Sequence, residues 1–255
     1  MPRPSTPPLD TTEAGLKSRA DQLLVERGFF ESRARAQAAI AAGLVTANGT
    51  AVRKASEMVA DDAELTAQAP HPYVSRGGLK LAGALDAFGF DPQGLTCLDV
   101  GSSTGGFTDL LLKRGARRVI AVDVGRDQLH ASLRSDPRVT SFEGQDIRTL
   151  DVEALPERPS LAAIDVSFIS LKLVLPAVSA LLAPKAGIAA LIKPQFEAGR
   201  AALKKGIVRD EAIQLQVCDE IVATLKTLGF DVDGPIPSPI EGGDGNREFL
   251  VGARR

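Results

Sequence analysis

LTCLDVGSSTGGFTDLLLKRG, residues 95–115, carries a short apolar run into a glycine-rich turn and then into a second apolar run. The run LTCLDVG has the length and continuity of a buried strand, and the segment beyond the turn reads as a helix. Gly101, Gly105 and Gly106 therefore stand in a strand-to-helix turn at the carboxyl end of a strand. Outward from it, RRVIAVDVG (117–125), LAAIDVSFISL (161–171), GIAALIKPQFE (187–197) and REFLVGAR (247–254) are further strand-like runs, most of them separated by helical segments. GLKLAGALDAFGF (78–90) reads as a helix ahead of the first strand. This alternation predicts an α/β fold, a doubly wound and mostly parallel sheet of Rossmann-like type with both faces covered. The last stretch, GFDVDGPIPSPI (229–240), a glycine-rich turn and REFLVGA, is expected to add a hairpin at the sheet edge.

Upstream of this unit the pattern differs. RADQLLVERGFF (19–30) carries Leu23, Leu24 and Phe29 on a helical spacing, with Gly28 placed to stop the helix, and Ser32 is a candidate cap for a second helix ending at Gly43. Asn48-Gly49 then forms a hairpin signal between two short β-type runs. A small α+β domain is expected over residues 16–68, after a disordered leader over 1–15 and before a proline-punctuated linker over 69–75; residues 76–255 form the larger domain.

The 255-residue chain is 44% hydrophobic, enough to bury a real core, so disordered and fibrous readings fail. No apolar stretch approaches a bilayer crossing and the amino terminus lacks the pattern of a signal peptide, which points to a cytoplasmic protein. Cys97 and Cys218 are too few for a disulfide framework and too far apart for a metal clip, and His71 and His130 are isolated, so no metal is expected. The net charge of −2 gives no support for nucleic acid by itself; residues 16–80 hold nine Lys/Arg against seven Asp/Glu, a modest local bias.

The glycines after the first strand let a backbone approach a ligand closely, and the helix beyond them offers unpaired N–H groups to a carboxylate. Asp123 ends the second strand, where an acidic residue suits a ribose diol, and Asp146 in EGQDIR follows the next strand. Each feature alone is as often a tight connection or a helix cap. In order on consecutive βα units they indicate a nucleoside-bearing cofactor. The G-x-x-x-G-G spacing after Asp99 departs from G-x-G-x-x-G and favours S-adenosyl-L-methionine over a nicotinamide. The expected cofactor set is Asp99, Gly101, Ser102, Ser103, Gly105, Gly106, Phe107, Asp123, Val124, Asp146, Ile147 and Asp165.

Lys193 closes an apolar strand, and burying an ammonium is costly unless an acid flanks it. Asp165, ending the neighbouring run, is the expected partner, with Lys80 in SRGGLK and Glu248 in GNREF as further candidates. SRGGLKL, LDVGSSTGGFTDLLL, VDVG, DVSFISL, LIKPQFE and GNREFL resemble the TlyA family of rRNA methyltransferases, also known as hemolysins, whose catalytic domain is related to FtsJ-type 2'-O-methyltransferases. The resemblance runs from Arg19 to the carboxyl terminus. It implies a Lys-Asp-Lys-Glu catalytic tetrad at Lys80, Asp165, Lys193 and Glu248, with Asp165 and Glu248 steadying Lys193, and methylation of a cytidine ribose in small- or large-subunit rRNA. SRARAQAAIAAGLVTANG (32–49) resembles the RNA-binding fold of ribosomal protein S-four, with Ala20 and Ala47 where bulkier apolar residues are common.

That resemblance implies ribosomal RNA or ribosomal subunits as partner, with Arg19, Arg33, Arg35, Arg53 and Lys54 facing phosphates on the small domain. Arg200, Lys204, Lys205 and Arg209 form a second basic group after the Lys193 strand. Exposed arginines are more often merely solvated, and aromatic residues make up only 4%, so stacking is left to Phe107, Phe168 or Phe196. A membrane-active hemolysin and a non-catalytic RNA-binding protein are the competing readings. The first lacks a spanning or lytic segment, and the second leaves the tetrad without a purpose.

Overall fold

The computed structural model describes residues 16–255; the leader expected over 1–15 lies outside the described residues. The chain divides into two compact units, Met1–Pro72 and Tyr73–Arg255.

The first unit begins with β1 (Lys17–Arg19), α1 (Ala20–Glu26) and α2 (Arg33–Ala41). Gly28 and Gly43 take left-handed φ values of 75° and 72° just beyond the two helices, and Ser32 caps α2 by accepting from the Arg35 amide. β2 (Val45–Ala47) and β3 (Thr50–Ala51) form the hairpin through Asn48 and Gly49, both at positive φ. β4 (Met58–Ala60) pairs with β1, and β5 (Leu65–Ala67) pairs with β2. Leu23, Leu24, Ala36, Ile40 and Val45 bury between the helices and the small sheets, and Ala20 joins them.

The second unit opens on α3 (Gly77–Phe88), then β6 (Thr96–Val100), α4 (Gly106–Lys113), β7 (Arg118–Asp123), α5 (Ala131–Arg134) and β8 (Val139–Glu143). There follow β9 (Leu161–Ile164), α6 (Leu171–Leu181), β10 (Gly187–Ile192), α7 (Pro194–Glu197), α8 (Glu211–Thr227), β11 (Asp231–Pro237) and β12 (Phe249–Arg254). The sheet order is β11-β12-β10-β9-β6-β7-β8, parallel from β10 to β8, with β12 and β11 antiparallel at one edge. Strands β6, β9 and β10 are buried throughout, which is why they read as continuous apolar runs. Alternate strand residues supply two cores. Leu98, Ile164, Ile192 and Val251 pack with α6 and α8, while Cys97, Ala163, Leu191 and Leu250 pack with α3 and α4.

After β6 the chain winds outward through β7 and β8, then returns to lay β9 on the other side of β6. The crevice beyond the carboxyl ends of β6 and β9 is therefore the switch point at which open α/β sheets bind ligands.

Candidate active site

Gly101 sits at that switch point with φ of 83°, and a Cβ there would lie 2.5 Å from the Asp165 carbonyl oxygen. Only glycine lets the loops after β6 and β9 approach so closely. Asp165 is tied to β6 by its own amide, which donates to Val100 O at 2.9 Å. Asp123 Oδ2 accepts the Ser103 amide at 2.7 Å, and its Oδ1 accepts the Gly125 amide at 2.7 Å. The carboxylate thus clamps the glycine-rich turn to the end of β7.

A cleft of about 600 Å³ opens there, lined on its polar side by Asp123, Gln145 and Asp146 and on its apolar side by Val124, Ile147, Val166 and Phe168. Its size and its mixture of apolar walls and few polar groups suit a nucleoside. A second cleft, about 410 Å³, is lined by Ser75, Arg76, Lys80, Ser102, Gly106, Phe107 and Gly242, and shares Gly101, Ser103 and Asp165 with the first. Asp146 caps the turn at Ile147–Thr149 and pairs with Arg148 at 2.6 Å, so both of its carboxylate oxygens already accept from Arg148.

Asp99 and Gly105 line neither cleft. Asp99 is fully buried behind the loop, where Thr108 Oγ1 donates to it at 2.6 Å and the other carboxylate oxygen has no partner. Burial pushes this carboxyl up to about 7, helped by the nearby Asp165 and Asp123 charges and opposed by the Thr108 hydrogen bond. Gly105 starts α4 in a left-handed conformation against Leu129 and Leu133, which leave no room for a side chain.

Strand alternation places three of the four tetrad candidates on one face. Ala163, Leu191 and Leu250 all face α3 and α4, and steps of two along their strands lead to Asp165, Lys193 and Glu248. Lys80 reaches the same region from α3. Lys193 Nζ stands 2.5 Å from Asp165 Oδ1 as an ion pair and donates a hydrogen bond to Ser167 Oγ at 3.0 Å. Glu248, expected beside Lys193, instead accepts from Lys80 Nζ at 2.6 Å. The topology explains the partition. β9 and β10 are parallel neighbours, so their ends bring Asp165 to Lys193, whereas α3 packs across β12 and brings Lys80 to Glu248.

Sequence reading missed several residues around these pairs. Ser167 engages Lys193, and Glu197 accepts from Ser170 Oγ at 2.5 Å and from the Leu171 amide at 2.7 Å, bolting the loop after β9 to α7. Gly242 passes so close over Glu248 that a Cβ would lie 2.1 Å from its Oε1. The polar residues embedded in DVSFISL and LIKPQFE were the available signal. Among the stacking candidates, Phe107 is buried in the α4 core, whereas Phe168 is 90% exposed, has φ of 66°, and lies 5.0 Å from the Phe196 ring.

In the first unit Arg33, Arg53 and Lys54 are exposed, and Arg19 and Arg35 partly so. Lys204, Lys205 and Arg209 are exposed on the loop after α7; the Arg200 side chain lies outside the described residues. Cys97 and Cys218 are buried free thiols, and burial raises both, to about 12 and about 11. Among the described residues no helix is long and apolar enough to cross a membrane, and no group of three His, Cys, Asp or Glu is placed to hold a metal.

A doubly wound sheet with a glycine-lined nucleoside cleft at its switch point, and a lysine–aspartate pair whose carboxylate lines that cleft, fits a methyltransferase of the S-adenosyl-L-methionine-dependent class. The FtsJ-like methyltransferase family matches residues 73–255 and the S4 domain residues 18–65. The chain belongs to the FtsJ-like methyltransferase family, in its TlyA branch. The 16S/23S rRNA (cytidine-2'-O)-methyltransferase TlyA of Mycobacterium tuberculosis is 41% identical over 241 residues, covering 93% of this chain and 90% of that protein. Hemolysin A of Brachyspira hyodysenteriae is 39% identical over 235 residues, 91% and 98% of the two chains. A solved structure from Streptococcus thermophilus, described as that of a hemolysin, superposes with a TM-score of 0.75 at 44% identity, covering 95% of this chain and 90% of the other.

Proposed function

We propose that this enzyme methylates the 2'-hydroxyl of a cytidine ribose in ribosomal RNA, using Lys80, Asp165, Lys193 and Glu248. The single observation that carries the reading is the Lys193–Asp165 pair at the carboxyl edge of the sheet, with Asp165 lining both the nucleoside cleft and the cleft beside it. The names of its relatives supply the substrate class.

Asp123 would accept the ribose diol, Val124 and Ile147 would flank the adenine, and Gly101 and Ser103 would face the amino-acid end. Bound in this way, S-adenosyl-L-methionine supplies an electrophilic methyl group. The chain must then orient the ribose oxygen in line with that methyl and dispose of the hydroxyl proton. Lys193 Nζ orients the oxygen and, once it has released a proton of its own to solvent, takes the hydroxyl proton, while Asp165 and Ser167 fix its position. Lys80 lines the second cleft and, through its pair with the buried Glu248, holds α3 against β12. Phe168 keeps a left-handed backbone that costs a non-glycine residue about 1–3 kcal/mol, a departure that persists where function requires it. Its ring flanks the target base. The basic residues of the amino-terminal domain, together with Lys204, Lys205 and Arg209, hold phosphates without reading sequence. Such a substrate places the enzyme in the cytoplasm.

The test is transfer of labelled methyl to isolated small subunits, large subunits and whole ribosomes, with the modified nucleotide mapped. Label at a cytidine ribose, lost in Lys193→Ala, is the expected result. Failure to label any ribosomal particle overturns the substrate assignment.

A further inference from the structure

Asp21 lies in the first turn of α1 and is completely buried, yet Arg19, Arg33 and Gln37 all direct side-chain donors at its carboxylate. Arg19 grips it with Nε at 3.0 Å and Nη2 at 3.2 Å, and Arg33 with Nε at 3.2 Å and Nη2 at 2.8 Å. Gln37 Nε2 adds a contact at 2.7 Å. The arginine hydrogen bonds hold the Asp21 carboxyl far below the usual carboxylate range, against the cost of its burial.

Both guanidiniums stay open to solvent on their far sides, with side chains 39% and 51% exposed. Each uses one edge of its fork on Asp21 and leaves the Nη1 edge for another acceptor. A carboxylate sunk under two half-exposed arginines is a poor device for stability, because its desolvation offsets much of the attraction and an apolar pair would hold α1 to α2 at less cost. It is a good device for orientation. A guanidinium anchored on one side has lost its rotamer freedom before an acceptor arrives, so less entropy is lost on binding.

We propose that Asp21 is a positioning residue that presets Arg19 and Arg33 as one rigid double fork for RNA phosphate oxygens. The proposal rests on the assignment of these arginines to RNA, and two substitutions separate the two claims. If only charge matters, Asp21→Asn removes a negative charge beneath the cations and RNA binds more tightly. If Asp21 presets the forks, binding weakens despite the added positive charge.

Binding of the full-length protein to a labelled RNA stem-loop and to isolated ribosomal subunits, measured across a salt series, reads the sign. Asp21→Asn is expected to weaken binding roughly tenfold and to flatten the salt slope by about two, one for each arginine withdrawn from a phosphate. Tighter or unchanged binding by a folded Asp21→Asn protein overturns the proposal. Should Asp21→Asn unfold, Arg19→Lys/Arg33→Lys decides: it keeps the charge and loses the fork, so wild-type affinity and slope in that variant overturn the proposal equally. Arg19→Ala/Arg33→Ala tests the underlying assignment, and unaltered binding there removes these arginines from the RNA site altogether.

Discussion

Two lysine–carboxylate pairs stand on the same face of the sheet and differ in what surrounds them. Lys80–Glu248 spans 2.6 Å, with side chains 11% and 2% exposed, and the Gly242 backbone closes over it. Lys193–Asp165 spans 2.5 Å, but its aspartate is 19% exposed and lines both clefts. The first pair has a sealed carboxylate and joins two elements distant in sequence, with only Lys80 reaching the second cleft; the second pair has an open carboxylate, while Lys193 itself lines neither cleft. The proposed brace and the proposed working pair, made of the same chemistry, differ in the exposure of their carboxylates and not of their lysines.

The largest effect on turnover belongs to the open pair. Lys193→Ala should lower methyl transfer about 10³-fold, within the range for losing a positioned acid–base group, while binding of S-adenosyl-L-methionine, measured by calorimetry, stays close to wild type. The sealed pair should show the opposite emphasis. Lys80→Ala strands the Glu248 carboxylate in a buried site and should cost about 3–5 kcal/mol in chemical denaturation, with activity falling as the fold loosens. Lys80→Met/Glu248→Leu should recover much of that stability and the activity with it, since a brace serves only the fold. If Lys80→Ala proved no less stable than Lys193→Ala, the distinction between brace and working pair would collapse.

Phe168 offers a smaller and more selective effect. Phe168→Gly should raise KM for RNA roughly tenfold, the scale of one lost base stack, without weakening the fold, because glycine adopts the left-handed backbone freely. A marked drop in the melting temperature with KM unchanged would assign Phe168 to packing on Phe196 instead of to substrate.

The open pair was legible in the sequence because a lysine closing the apolar run LIKP is anomalous on its face, and because the β-rich runs announced parallel strands whose ends meet. Glu248 could be named, but it was expected beside Lys193 and pairs with Lys80. Its partner depends on α3 crossing β12, and strand order is not written in hydrophobic pattern. The short strands β1, β4 and β5 were equally silent, since three residues are too few to show a period of two. The switch point beside β6 emerges only once β9 is seen to return to the inner side of the sheet. Asp99 was expected to meet the cofactor because it precedes the glycine turn, yet alternation along β6 turns it inward to Thr108.

That inward turn gives Asp99 the most specific prediction, one read only against pH. Its folded carboxyl titrates near 7, above the roughly 3.9 of an exposed aspartate, so the folded state holds its proton more tightly than the unfolded chain. The contribution to stability is fully present below pH of about 4 and is lost as the pH rises through about 7. Asn at this position cannot ionise and nearly matches the shape of the neutral acid. Asp99→Asn should therefore flatten the pH dependence of the melting temperature between these limits and make the variant relatively more stable at pH above 7. An Asp99→Asn profile parallel to wild type across that window would mean that the buried oxygen lacking a partner is compensated by some other group, and that the loop after β6 is not held by a neutral acid.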